Sequence, residues 1–197
     1  DGSAWTSLSG LDLLKMDELG TVSGVDGGGA AFGRLAHVWL PDTMGSIGDY
    51  AFSGCTSLRL EYLPEGVTSV GAGAFQGCTS LALGSLVEGV RYVGESAFEG
   101  CTSLVLGRLP DSIEFIKKSA FSGCEKLDFS EIPANVLAIE PKAFSGCKNL
   151  ERVSFPSGLK SVGKSAFEGC SNLKELSFRS ENPPKLDADA FEGVAQL

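Results

Sequence analysis

A single histidine, His37, is all the imidazole this chain holds, which excludes a two-histidine metal site and leaves at most one Cys/His or Ser/His arrangement. Positive charge is short as well. Sixteen Lys and Arg stand against 25 Asp and Glu, a formal net charge of −9, and polyanion binding rests on cation neutralisation, so nucleic acid is a poor partner. No apolar run approaches the roughly 20 residues of a membrane span. The start, Asp1-Gly-Ser-Ala-Trp5, has neither the basic region nor the apolar stretch of a signal peptide. A mature form, or one whose leader has been removed, is expected. No Cys-x-x-Cys occurs among the six cysteines, which disfavours a soft metal site.

What the chain does hold is apolar residues, 43%, and 26 glycines over 197 positions. That is enough to build a core, and the glycines point to tight turns if they are periodic. They are. Ala-Phe recurs at Phe52, Phe75, Phe98, Phe121, Phe144 and Phe167, each 23 residues after the last, with a seventh copy at Phe191 displaced by one. In the same phase come Gly-Cys pairs ending at Cys55, Cys78, Cys101, Cys124, Cys147 and Cys170. Leu58, Leu81, Leu104, Leu127, Leu150 and Leu173 follow each Cys by three. A proline or substitute comes next (Pro64, Val87, Pro110, Pro133, Pro156), and six residues on a β-branched residue (Val70, Val93, Ile116, Ile139, Val162).

A fixed period of this length means a solenoid: one unit is too short to bury its own apolar side, so copies stack and align like residues into ladders. The Phe and Leu ladders form the expected core. The Leu-to-Pro segment, as in Leu150 to Phe155, reads as a short strand stopped by the proline, and its stacked copies as a parallel sheet. The stretch around Leu159 to Val162 reads as a possible second strand, and the Ala-Phe portion as a tight or helical turn opposite. Four middle units carry Leu-x-Leu-x-x-Leu/Ile, whereas the flanking ones carry Leu-x-x-Val/Leu-x-Leu/Phe. The slip by one residue predicts a bulge or a local change of twist and curvature between the units beginning at Leu127 and Leu150.

Residues 1–34 lack the repeat. Ser9 to Leu19 reads as a capping box and short amphipathic helix ended by Gly20, giving an N-terminal helical cap over 1–34 and a solenoid of about seven units over 35–197. Phe32 takes the Cys place of a degenerate first unit, Leu35 to Pro41, and Val194 that of the last. The glycines of Gly24 to Gly29 read as a loop, since no Lys-Ser/Thr follows as a phosphate loop requires.

The cysteines all fall at one repeat position, so they project in parallel about 4.8 Å apart. Disulfides need side chains that converge, and free buried thiols are expected. Two residues before each Pro-equivalent, an exposed row runs Trp39, Tyr62, Ser85, Arg108, Glu131, Ser154, Ser177. His37 falls on the face of Trp39. Rigid amphipathic rings suit recognition surfaces, so His37, Trp39, Tyr62, Arg108, Glu131 and Arg152 are the candidate ligand contacts. The competing reading packs Trp39 and Tyr62 under the N-terminal cap.

The 23-residue unit, Cys-x-x-Leu, a Pro-terminated strand, then Val/Ile-Gly-x-x-Ala-Phe-x-Gly-Cys, resembles the BspA-like leucine-rich repeat family over residues 35 to 194. The resemblance implies a curved right-handed solenoid, secreted or carried on the cell surface, which binds a protein or glycan, those of a host extracellular matrix among the candidates. It implies no enzyme and no cofactor, and fixes no ligand-contacting residues. A monomer is expected. A spacer within a larger surface protein is the alternative function.

Overall fold

The computed structural model describes residues 14–16, 21–24 and 35–194. Eleven strands are seen there: β1 Leu14–Met16, β2 Thr21–Gly24, β3 Ser46–Ile47, β4 Ser69–Val70, β5 Tyr92–Val93, β6 Phe115–Ile116, β7 Ala138–Ile139, β8 Arg152–Phe155, β9 Ser161–Val162, β10 Glu175–Phe178 and β11 Lys185–Leu186. Nine make one sheet in the order β1-β2-β3-β4-β5-β6-β7-β9-β11, parallel throughout except for the antiparallel β1–β2 pair. The other two, β8 and β10, form a separate parallel pair.

Each two-residue strand of the main sheet places a β-branched or leucine residue at its second position. Ile47, Val70, Val93, Ile116, Ile139 and Val162 are buried there, while the first position faces outward. Ahead of β3 to β7 and β9 a proline, or Val87 in its place, accepts an i+3 amide, as in Val67 N–H to the Pro64 carbonyl at 3.1 Å, so a turn leads from the Leu-to-Pro segment into the strand.

Opposite, the Ala-Phe portions are hydrogen-bonded turns, and no helix is present among the described residues. Adjacent turns are knitted together: the Phe52 amide donates to the Ala74 carbonyl at 2.7 Å and the Phe75 amide to Ala97 at 2.8 Å. On the sheet side the donation runs the other way along the axis, from Gly71 back to Ile47 and from Gly94 back to Val70, both at 2.8 Å. Every unit therefore both gives to and takes from each neighbour. That is how a stack satisfies backbone groups that one isolated unit would leave open.

The interior is the expected set of ladders. Phe52, Phe75, Phe98, Phe121, Phe144, Phe167 and Phe191 stack in series with ring centroids 5.3–5.6 Å apart and planes within 21° of parallel. All six cysteines are free and buried. The thiols of Cys78, Cys101, Cys124, Cys147 and Cys170 each donate to the carbonyl of the preceding unit's phenylalanine at 3.0–3.2 Å. That carbonyl already takes the amide of its own unit's cysteine, as at Phe52 with Cys55. The sulfur thus fills a second lone pair inside an apolar interior.

Two expectations are corrected. The strand that builds the continuous sheet is the short one after the proline turn. The Leu-to-Pro segment forms strands only at β8 and β10, with one bridge from Glu131 to Ser154. In the units before these, the amides of residues 60–63, 82–87 and 105–109 donate to no other backbone group among the described residues. The slip in the sequence explains the change. Leu81, Leu83 and Leu86 are buried in one unit and Leu150, Val153 and Phe155 in a later one. Only β8 and β10 are successive units with the second, alternating facing, and strand pairing on this side is confined to them and the bridge that leads into β8.

The other correction concerns the cap. Within the stretch read as a helix, Leu14–Met16 is a strand, and it pairs with Thr21–Gly24, which joins the edge of β3. A helix this short is marginal in water. A hairpin supplies the hydrogen bonds that an open sheet edge needs. The rest of the cap reading, with Phe32, lies outside the described residues.

Candidate functional site

The Leu-to-Pro segments bring the sequence candidates onto one side of the solenoid but divide them into two places. At the first two units a groove of about 350 Å³ is lined by His37, Trp39, Arg59, Glu61 and Tyr62. Trp39 is 73% exposed and Tyr62 62%, and the competing reading that packs them under the N-terminal cap falls on residues outside the described ones. No ring contact joins either one to another aromatic among the described residues. Their backbone position explains the exposure: Leu58, Leu60 and Leu63 turn inward, which leaves Arg59, Glu61 and Tyr62 pointing out.

A second groove, also about 350 Å³, lies further along between Arg108, Ser130, Glu131 and Arg179. Its charges are internally matched. Arg108 is ion-paired with Glu88, and Arg179 donates to Glu131 at 2.6 Å. Arg152 belongs to neither groove. It opens β8 and is exposed opposite Glu175 in the strand register. In the first groove the arrangement differs, because His37, Arg59 and Glu61 take part in no ion pair or side-chain hydrogen bond among the described residues.

The outward face of the main sheet was not among the sequence candidates. Tyr92 and Phe115, the first residues of β5 and β6, meet at 6.3 Å between ring centres, and Leu137 is half exposed beside them. A groove of about 420 Å³ runs there past Glu114, Phe115, Lys117, Asn135, Leu137 and Glu140. Lys117 and Glu140 form an ion pair that holds the lysine ammonium above its usual range. They stand where other units have glycine; at Gly94 a Cβ would fall 2.6 Å from the Gly71 carbonyl carbon. The signal in the sequence was an aromatic ahead of the β-branched residue in two consecutive units, where other units carry Ser, Ala or Lys.

Nothing in either place resembles a catalytic constellation. Besides Lys117 and Lys118, each raised by its glutamate partner, the perturbed groups are the thiols, which burial pushes up, to about 11 at Cys55 and about 12 at Cys170, away from the reactive thiolate. No group of three or more His, Cys, Asp or Glu able to hold a metal ion occurs among the described residues, and no helix there is long and apolar enough to cross a membrane.

A model of the BspA type leucine-rich repeat region matches in six copies, over residues 31–127 and 81–197. Among solved structures, the chain is similar to a leucine rich cell surface protein from Faecalibacterium prausnitzii, at 22% identity and a TM-score of 0.65 over 87% of this chain and 54% of that one. It is also similar to a leucine-rich repeat protein from Bacteroides ovatus, at 25% identity and a TM-score of 0.59 over 92% and 60%. A T. pallidum leucine-rich repeat protein aligns at 28% identity with a TM-score of 0.53 over 76% of each chain. The chain thus spans 54% and 60% of the lengths of the first two. No curated protein sequence matches it.

Proposed function

Because this chain belongs to the BspA-type leucine-rich repeat family, we propose that it is a recognition module, secreted or displayed on a cell surface, that binds a protein or glycan through the Leu-to-Pro side. The observation that carries this reading is the groove at the first two units, where two large exposed rings and three uncommitted polar side chains face solvent together. Large rings left in water bring the fold no burial energy, and amphipathic aromatics are the side chains that most often anchor binding. The cell-surface neighbour supports the location by fold only.

Binding rather than catalysis is the reading that the repeat family and its fold support, and it calls for no cofactor. The test is an array of glycans and extracellular-matrix proteins probed with the chain and with a Trp39→Ala, Tyr62→Ala variant confirmed as folded by its thermal transition. Saturable binding that the variant loses supports a recognition module at this groove. Indifference of the whole array favours a spacer and overturns the proposal.

A further inference from the structure

Resting on that reading, we infer that the groove between Trp39 and Tyr62 is a carbohydrate site, taking a neutral sugar whose ring faces lie on the two aromatics. Four features of the groove favour a sugar over other ligands. Both aromatics keep an apolar face and a polar edge free, which matches a pyranose with its C–H face and its rim of hydroxyls. The polar groups between them supply both halves of hydroxyl recognition: Arg59 donates, Glu61 accepts, and His37 and the Tyr62 hydroxyl do either. All of these side chains lack protein partners among the described residues. The backbone amides of Glu61 and Tyr62 add two more donors that no other backbone group among the described residues uses.

Size and charge narrow the class further. A groove of about 350 Å³ lies in the range of small-ligand sites. A specific protein interface, by contrast, buries about 800 Å² per partner around a contiguous apolar centre, and here the apolar faces are interrupted by His37, Arg59 and Glu61. An anionic sugar polymer is disfavoured because Arg59 is balanced by Glu61 and the chain carries a net charge of −9. The main-sheet face has the opposite character. Its rings touch each other and its central charges are paired, so it serves as the control surface.

The chain has two tryptophans, and Trp5→Phe leaves Trp39 as the sole indole emitter. We expect neutral oligosaccharides of glucose, mannose or N-acetyllactosamine type, titrated into this variant, to shift Trp39 emission saturably. Trp39→Ala or Tyr62→Ala should weaken binding to immobilised glycan about tenfold or more each, the equivalent of about 1.4 kcal/mol. Tyr62→Phe should retain most binding, and Phe115→Ala all of it. Matrix-protein binding that needs Trp39 and survives enzymatic deglycosylation, with no free glycan bound, keeps the recognition module and overturns the carbohydrate site. Glycan binding that survives both alanine substitutions overturns this location. If neither glycan nor protein binds, the recognition reading falls with it.

Discussion

Between Ser46 and Leu186 the strand after each proline turn pairs with its neighbours in seven successive units, whereas the Leu-to-Pro segment pairs only between Arg152–Phe155 and Glu175–Phe178. Both sides obey the same 23-residue period and both bury aliphatic side chains, so the period alone does not decide pairing. On the sheet and turn sides, every unit meets a neighbour of identical facing, and hydrogen bonds repeat with the sequence. On the Leu-to-Pro side the facing slips by one residue halfway along, and backbone groups pair only where two successive units share the alternating pattern. The invariant side stores the stability. The variable side is released from pairing and carries the units' individual side chains, Trp39 and Tyr62 among them.

The thiols test the invariant side most severely. Burial raises each folded-state thiol above its ordinary value of 9.0, to about 11 at Cys55 and about 12 at Cys170, and well above it at the four between. A raised folded value means that the unfolded chain releases its proton first. The contribution is therefore complete below pH 9 and is lost as pH climbs from 9 through each folded value, about 11 for Cys55 and about 12 for Cys170, at up to about 1.4 kcal/mol per pH unit for each thiol. Six such groups outweigh a typical domain stability within two pH units, so cooperative unfolding is expected between about pH 10 and 11, followed by far-ultraviolet circular dichroism. In a Cys101→Ala, Cys124→Ala variant the pH dependence of stability should fall by about two protons. An unchanged slope would mean that the thiols are not what makes the ladder alkali-sensitive.

Next in size comes the stacked ring series. Phe98 and Phe121 are fully buried between ring neighbours on both sides, and truncating either to alanine should cost about 3–5 kcal/mol in a urea titration. A cost under about 1 kcal/mol would place the phenylalanines at the periphery and reverse the assignment of the two sides.

These interior residues were also the legible part of the molecule. Phe98, Cys101 and Leu104 announce themselves because a ladder requires the same side chain at the same phase, and sequence displays phase directly. The short strands were legible only in part, as the second strand read around Leu159 to Val162, where β9 lies; that they, such as Ser69–Val70, build the continuous sheet was not, since two residues carry no alternation to detect and their hydrogen bonds join units 23 residues apart. The Leu-to-Pro segment misled for the complementary reason: Leu150 to Phe155 alternates visibly, yet alternation shows only which side chains face inward, not whether a neighbour presents matching backbone. At the N-terminus, Leu14–Met16 has spacing that suits helix and strand alike, and the open edge of β3 settled it. Of the candidate site, Trp39, Tyr62 and His37 were legible as a face. Arg59 and Glu61 were not, because their freedom from ion pairing is visible only against the matched pairs at Arg108 and Glu131.

A smaller effect sits at the turn position just before Ala-Phe. Tyr50, Ser96, Ser119, Lys142 and Ser165 all adopt φ of 53–59°, left-handed backbone that side chains pay to enter, while Gly73 holds the place in one unit at 56°. Lys142 is exposed and in no ion pair among the described residues, so Lys142→Gly trades strain relief against unfolded-state entropy. The expected gain is about 0.5–1 kcal/mol by thermal unfolding. Lys142→Pro, which cannot reach positive φ, should instead destabilise by several times as much.

The finest test belongs to the variable side itself. Arg108 is exposed and paired with Glu88 across neighbouring units, an arrangement that solvent screens. Ser154 lies in β8 but contributes mainly its backbone, donating to Ser130 at 2.8 Å and accepting from Ile132 at 2.9 Å. If this side stabilises the fold only through buried leucines and, at its end, through backbone pairing, Arg108→Ala and Ser154→Ala should each shift unfolding by no more than about 0.5 kcal/mol. The serine makes the sharper case, because alanine keeps both backbone bonds. A loss at Ser154 comparable with that at Phe98 would show that its hydroxyl, and not the strand register, holds the last two units together.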